Sequence, residues 1–341
     1  MKEHILLYLK DHPRSSSSEI FEGIDADVSY PTVKRHLAKL AAENQLITEG
    51  KGRSTKYSLS PGCMIFAPID IEDYFRQEID ERQIIGGYNF ELIGNLSGTP
   101  LFTPSEHDRL NAFQEKFSKN ISQLSEAEYR KEMERLAIDL SWKSSQIEGN
   151  TYSLLETERL LSEKETAAGK TRDEAVMLLN HKEAIDFLTN NPDYLKTLTV
   201  TRIENIHSIL VKDLAVDRNI RSRRVGITGT NYRPLDNEFQ IREALEGVCS
   251  LVNERQDVFE KALLTLLLIL YIQPFNDGNK RTARIVSNAQ LMANRYCPIS
   301  FRTVDSIDYK KAMLLFYEQN NISAFKRIFI DQFEFAVSTY F

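Results

Sequence analysis

Apolar residues recur along the first sixty positions at helical spacing and then at strand spacing. Ile5, Leu6 and Leu9 make one helical face, "PRSSSS" at 13–18 interrupts it, and a serine cap opens a second short helix over "EIFEGI". Ser29 as a cap and Pro31 in the first turn predict a third helix, on which Val33, Leu37, Leu40 and Ala41 fall on one side. That register turns Lys34, Arg35 and Lys39 largely outward. "LITEGKGRSTKYSLS" then predicts two short strands about a Gly-containing turn, with Lys51, Arg53 and Lys56 near its tip.

Ser60-Pro61-Gly62 marks a boundary, which predicts a small domain over 1–60, a connecting segment over 61–120 and a larger domain over 121–341. In the connecting segment "IEDYFRQEIDERQ" reads as helix and "GNLSGTPLFTPSEHD" as loop. From Ser125 onward apolar residues keep three-four spacing through "EAEYRKEMERLAIDLSWKSSQIEGN", "LLETERLLSEKET", "TRDEAVMLLNHKEAIDFLTN" and "TVTRIENIHSILVKDL", so the chain is mainly α. One stretch departs from this pattern: 223–239 holds β-formers about a Gly-Thr-Asn turn and predicts a β-hairpin flap. "ALEGVCSLVNERQDVFEKALLTLLLILYI" then predicts one or two helices, the last strongly buried. Pro274 stops it, Gly278 permits a tight turn, and a new helix follows with Ile285, Ala289 and Leu291 on its apolar side.

Composition narrows the class. The 341 residues, 42% hydrophobic and 27% charged, suit a soluble globular protein of two or three domains. A net charge of −6 argues against a molecule that coats nucleic acid or an anionic membrane as a whole, and residues 1–60 hold nine Lys or Arg against eight Asp or Glu. Any DNA affinity must therefore come from clustering of the bases. Cys63, Cys249 and Cys297 form no C-x-x-C pair, which points to a reducing cytoplasm. Charges within "MKEHILLYLKDHPR" interrupt any signal-peptide core, and the apolar part of 262–279 is too short to cross a bilayer, so no membrane association is expected.

The candidate chemistry lies in "YIQPFNDGNKRTAR", 271–284. The backbone N–H groups of Gly278 to Arg281 open a helix, where the dipole favours an anion such as phosphate. Arg281 and Arg284, three apart, are expected to reach over the same turn, and Asp277 is placed to hold a divalent cation bridging phosphate oxygens.

These residues closely resemble the Fic family motif, H-P-F-x-[D/E]-G-N-[G/K]-R-x-x-R, at every specified position except the first, where Gln273 replaces histidine. The resemblance runs from about Ser141 to the C-terminus and implies an all-helical Fic core with a β-hairpin flap. It implies transfer of AMP from ATP to a protein hydroxyl, with Asp277 as the Mg²⁺ ligand. Gly278, Asn279, Lys280 and Arg281 would form the phosphate nest, and Arg284 would contact the outermost phosphate. A target protein would dock at the flap, within 225–236, by strand addition. Phe275 is expected to pack in the core.

"SSQIEGN" at 144–150 resembles the family's inhibitory motif through Ser144, Glu148 and Gly149, which implies a salt bridge from Glu148 to Arg284. In the family the histidine takes the proton of the attacking hydroxyl, a task glutamine cannot perform, and losing a general base costs on the order of 10² to 10⁴ in rate. His207 is the one histidine kept open as a substitute base. Lys280 is also found in Doc-type members that transfer a phosphoryl group. The first sixty residues resemble a winged helix-turn-helix, which implies DNA contacts from Lys34, Arg35, Lys39, Lys51 and Arg53. Three functions are thus carried forward: an auto-inhibited, impaired AMP transferase; a catalytically silent nucleotide-sensing DNA-binding regulator; and a Doc-like phosphotransferase. A homodimer is compatible with each.

Overall fold

The computed structural model describes residues 1–24, 28–42, 45–67 and 69–341, except for the side chain of Arg53. The chain starts with α1 (Lys2–Asp11), β1 (Ser15–Ser16), α2 (Ser17–Gly23), α3 (Tyr30–Ala42), β2 (Leu46–Glu49) and β3 (Lys56–Leu59). The strands form an antiparallel sheet in the order β1-β3-β2, with Thr48 opposite Tyr57 and Ser16 opposite Lys56. Ser16 caps α2 and Glu19 returns the bond, a reciprocal box that fixes where the helix begins. Ile5, Leu9, Ile20, Val33, Leu37 and Leu59 close a small core of their own. Lys34, Arg35, Lys39 and Lys51 are exposed, and Lys56 pairs with Glu19 at 2.8 Å. The predicted DNA contact from Arg53 falls on a side chain outside the described residues.

The connecting segment is more ordered than its sequence suggests. It holds α4 (Pro61–Phe66), α5 (Ile71–Arg76), α6 (Leu92–Ser97) and α7 (Pro104–Ile121). Ser60-Pro61 therefore starts a helix, since the Ser60 hydroxyl accepts the Cys63 N–H and proline suits the first turn. The helix expected over "IEDYFRQEIDERQ" stops at Arg76, and the expected loop "GNLSGTPLFTPSEHD" contains the end of α6 and the start of α7. Thr103 and Glu106 cap α7 reciprocally, with Pro104 at its first position.

The rest is helical, as the periodicity predicts: α8 (Glu126–Ile147), α9 (Leu154–Glu163), α10 (Arg172–Asn190), α11 (Val200–Leu210), α12 (Glu238–Glu254), α13 (Val258–Ile272), α14 (Asn279–Ala293), α15 (Ser306–Gln319) and α16 (Ser323–Tyr340). A helix apolar on all sides must lie inside, and α13 is buried from Ala262 to Ile272 without a break. The expected single apolar side of α14 is a correction: it is buried nearly all round. Its polar residues lose water and find protein partners instead. The Ser287 hydroxyl donates to Ala262 O at 2.7 Å, Asn288 exchanges two bonds with Ile299, and Gln290 donates to Leu195 O at 2.8 Å.

The β-hairpin expected over 223–239 is not formed. Residues 223–237 are irregular, with one isolated parallel bridge between Gly87 and Arg233, and α12 already begins at Glu238 under an Asn237 cap. Gly229 at φ +94° turns the chain out of extended geometry, and Pro234 has no N–H for a ladder. Among the described residues no helix is long and apolar enough to cross a membrane.

Candidate functional site

The turn after α13 is held by groups that the sequence scatters widely. Gln273 sits in the left-handed region at φ +51° and is nearly buried. Its Nε2 donates to Leu270 O at 2.7 Å and to the Tyr317 hydroxyl at 2.9 Å. A carbonyl can only accept, so the amide nitrogen must face inward and Oε1 is left toward the cleft. Arg221, 1% exposed, donates from Nε to Gln273 O at 2.6 Å and from Nη2 to Ile272 O at 3.3 Å, while its own N–H binds Pro274 O. These bonds satisfy carbonyls that the end of α13 would otherwise orphan.

The next residues are stapled from within. Asn279 Oδ1 accepts the Phe275 N–H and its Nδ2 donates to Phe275 O, both at 2.8 Å. The Asn279 side chain thus holds the loop, leaving its backbone N–H at the helix start. Phe275 is fully buried, as expected, and stacks on His207 at 3.6 Å with rings 3° from parallel. Gly278 has φ +78°, and a Cβ there would lie 3.2 Å from both His207 Cε1 and Val211 Cγ1. Only glycine suits that bend. α14 then begins without a side-chain cap, so its first N–H groups are open to an anion.

His207 does not reach the cleft. Its Nδ1 lies 3.2 Å from Thr282 Oγ1 and its Nε2 3.4 Å from Asp217 O, and it serves as the floor of the turn rather than a base. Burial lowers its pKa to about 4. A neutral folded imidazole against an unfolded value near 6.5 means that the unfolded chain binds more protons below pH 6.5. Stability is therefore expected to fall by about 3 kcal/mol between pH 6.5 and pH 4 through this residue. Urea unfolding of the parent and of His207→Phe across that range checks this, and the variant should show a shallower slope.

A cleft of about 390 Å³ opens beside the turn, lined among others by Glu148, Val225, Thr228, Gln273, Asp277 and Lys280. Glu148 ends α8, and Gly149 at φ +95° lets the chain turn away. The carboxylate is clamped twice: Arg284 Nη2 donates to Oε1 at 3.1 Å and Lys280 Nζ to Oε2 at 2.8 Å. Arg284 is fully buried and also donates to Ser144 Oγ and Ser144 O, each at 2.8 Å, while its Nη1 has no partner among the described residues. Burial alone would raise the Glu148 pKa, but Arg284 and Lys280 outweigh it and hold the carboxyl below its usual range. The ion pairs therefore persist at neutral pH and are lost as pH falls through that lowered value.

Arg281 and Arg284 diverge instead of covering one turn. Arg281, 2% exposed, donates to Leu210 O at 3.4 Å and meets Asp277 at 3.5 Å. Asp277 is largely exposed on the cleft rim. Among the described residues no group of three metal-type ligands occurs, so a cation there would rely on Asp277 and on oxygens of its anionic ligand. That requirement fits Mg²⁺, which keeps few protein ligands.

A strap from the connecting segment supports the far wall, which sequence reasoning missed. Arg82 Nη1 meets Glu318 Oε2 at 3.1 Å with both side chains buried, and Nη2 donates to Gly229 O at 3.0 Å. The Tyr74 hydroxyl donates to the same Glu318 oxygen at 2.7 Å, Asn231 donates to Asp80, and the Asn89 N–H reaches the Tyr271 hydroxyl. No local pattern announces these contacts, because each joins positions about 150 to 250 residues apart.

Residues 197–291 match the Fic/DOC family. Among curated proteins the chain is similar to Protein adenylyltransferase Fic of Nematostella vectensis, 29% identical over 182 residues, covering 49% of this chain and 40% of that one. It is also 26% identical over 161 residues to Protein adenylyltransferase fic-1 of Caenorhabditis elegans, covering 45% of this chain and 31% of that one. The matched regions thus span two fifths or less of those relatives' lengths. Fic-1 from C. elegans has a similar fold, with TM-score 0.61 at 18% identity over 73% of this chain and 80% of that chain. A Fic domain containing signaling protein from Bacteroides thetaiotaomicron aligns with TM-score 0.58 at 19% identity, covering 68% and 95%. The segment that holds α11, the Gln273 turn and most of α14 is thus matched in sequence by the Fic/DOC family, and the helical body around it resembles solved Fic structures in fold.

Proposed function

We propose that the chain is a Fic-type, ATP-dependent AMP transferase acting on protein hydroxyls, restrained by Glu148 and slowed by Gln273. The observation that carries this reading is the uncapped start of α14 at Gly278, open to a cleft beside Asp277, with Glu148 seated on Arg284. Relatives named protein adenylyltransferase support the reaction class. In the reaction a target hydroxyl oxygen attacks the α-phosphorus of ATP and pyrophosphate leaves. The N–H groups of Gly278 to Arg281 hold the phosphates by charge-assisted hydrogen bonds. Mg²⁺ on Asp277 would neutralise phosphate charge. Gln273 Oε1 can accept a hydrogen bond from the hydroxyl and orient it, but the proton must pass to water, which makes transfer slow. With Glu148 on Arg284 the outer phosphate lacks its guanidinium.

Titration calorimetry with millimolar ATP and Mg²⁺ tests the reading. Heat is expected from the parent and a larger affinity from Glu148→Gly, with α-label rather than γ-label entering protein. Absence of heat from both chains removes the proposal, and γ-label would assign phosphoryl transfer.

A second reading is favoured by the N-terminal arrangement: three helices, a β1-β3-β2 sheet, and exposed Lys34, Arg35 and Lys39 on α3 with Lys51 beyond β2. This is the order of a winged helix-turn-helix, in which a helix enters the major groove. In this reading the cleft senses nucleotide and the first sixty residues bind DNA. Affinity for duplex DNA is then expected to fall steeply with salt, losing about one unit of log-log slope on Lys34→Ala. A salt-independent affinity would exclude phosphate contacts of this kind.

A further inference from the structure

The cleft wall formed by Val225–Thr228 has bases at its ends that the proposed reaction does not use. Among the described residues, the backbone of Val225 and Gly226 makes no hydrogen bond, and the chain turns only at Thr228–Gly229, so the donors and acceptors of the stretch before that turn are open. Val225 and Ile227 are half-buried and alternate with exposed Gly226 and Thr228, the two-residue period of a sheet edge. Arg223 stands at one end, fixed near Gln273 because Arg221 Nη1 donates to Arg223 O at 2.8 Å and Arg221 Nε to Gln273 O. Lys310 stands at the other, with Cε 3.9 Å from where a Gly229 Cβ would lie, and it lines the cleft.

Both bases are exposed, and neither side chain has an acidic partner among the described residues. Of the charges nearby, Arg224 pairs with Asp236 at 3.4 Å and Glu148 is held by Lys280 and Arg284, while Asp80 lies past the Gly229 turn, where it accepts from the Asn231 amide. The carboxylate left on the rim, Asp277, lies on the phosphate side of the cleft next to Arg281. An open backbone flanked by two uncompensated positive charges is complementary to an extended chain of opposite sign.

We propose that Val225–Thr228, with Arg223 and Lys310 at its ends, docks an extended acidic segment of the target protein, with carboxylates on both sides of the hydroxyl to be modified. The role of that hydroxyl rests on the AMP-transfer reading; the charge preference is independent of catalysis. Strand addition supplies backbone bonds and the two bases set the choice of partner. Exposed ion pairs contribute roughly two- to fivefold in affinity each, so two of them yield about a tenfold preference.

The test uses the intact chain and two fluorescein-labelled peptides that alternate Glu or Lys with Ala around a central Ser, read by anisotropy. At about 50 mM salt the Glu peptide is expected to bind about tenfold tighter than the Lys peptide, and the gap should shrink at about 500 mM. Arg223→Glu with Lys310→Glu, both surface changes, should invert the preference. No binding of the Glu peptide, equal binding of both peptides, or a preference untouched by the charge reversal would overturn the proposal. If ATP gives no heat while the peptide preference persists, AMP transfer fails and the docking edge stands; the converse pair of results removes only the edge.

Discussion

Histidine in place of Gln273, in a chain that also carries Glu148→Gly, is expected to raise incorporation of α-labelled AMP by about 10²- to 10⁴-fold over Glu148→Gly alone. The gain follows from how the position is built. Gln273 Nε2 donates inward to Leu270 O, and an imidazole Nδ1–H can take over that bond. Its Nε2 is then left unprotonated toward the cleft, where Gln273 Oε1 now stands, and it can accept the proton that the amide cannot. The same replacement with Glu148 intact should gain little, because Arg284 stays committed to Glu148 and Ser144. Filter-bound label from the four chains, parent, two singles and double, decides this. Equal labelling of Gln273→His with and without Glu148 would remove the restraint from the account.

The largest expected loss of stability lies away from the Gln273 turn. Arg82→Met should destabilise the folded chain by about 3–5 kcal/mol, since it removes one partner of a buried pair and leaves Glu318 without its guanidinium. The Gly229 carbonyl loses its donor in the same change, while Tyr74 alone continues to bond the carboxylate. Adding Glu318→Leu should recover much of that loss, as replacing a whole buried pair by apolar groups is often neutral. Urea midpoints for the two variants test it. A shift in Arg82→Met equivalent to under about 1 kcal/mol would show that water reaches Glu318 and that the pair is not sealed.

What the sequence could reveal was set by range. Three-four spacing is a local signal, so α8 to α13 and the apolar run of α13 were readable, as was the turn built by Pro274 and Gly278. The flap was misread because Val225, Ile227 and Tyr232 are β-formers whose ladder is vetoed by Gly229 and Pro234, a conflict that propensity does not arbitrate. Short helices such as α4 and α6 carry too few turns for a period to register. Lys280 was read as a phosphate ligand, yet its bond to Glu148 joins residues 132 apart and leaves no trace in composition. Arg221, Tyr317 and Arg82 were invisible for the same reason.

The strap has a practical bearing on how this protein can be dissected. Its residues 74–89 precede the long helices, yet they brace the wall at Gly229, seal Glu318 and hold Tyr271 two residues before Gln273. An excised fragment beginning at 121 would look complete by periodicity while missing part of its own cleft wall. A cut at Ser60 keeps that wall whole and parts the three-helix N-terminal piece from the rest.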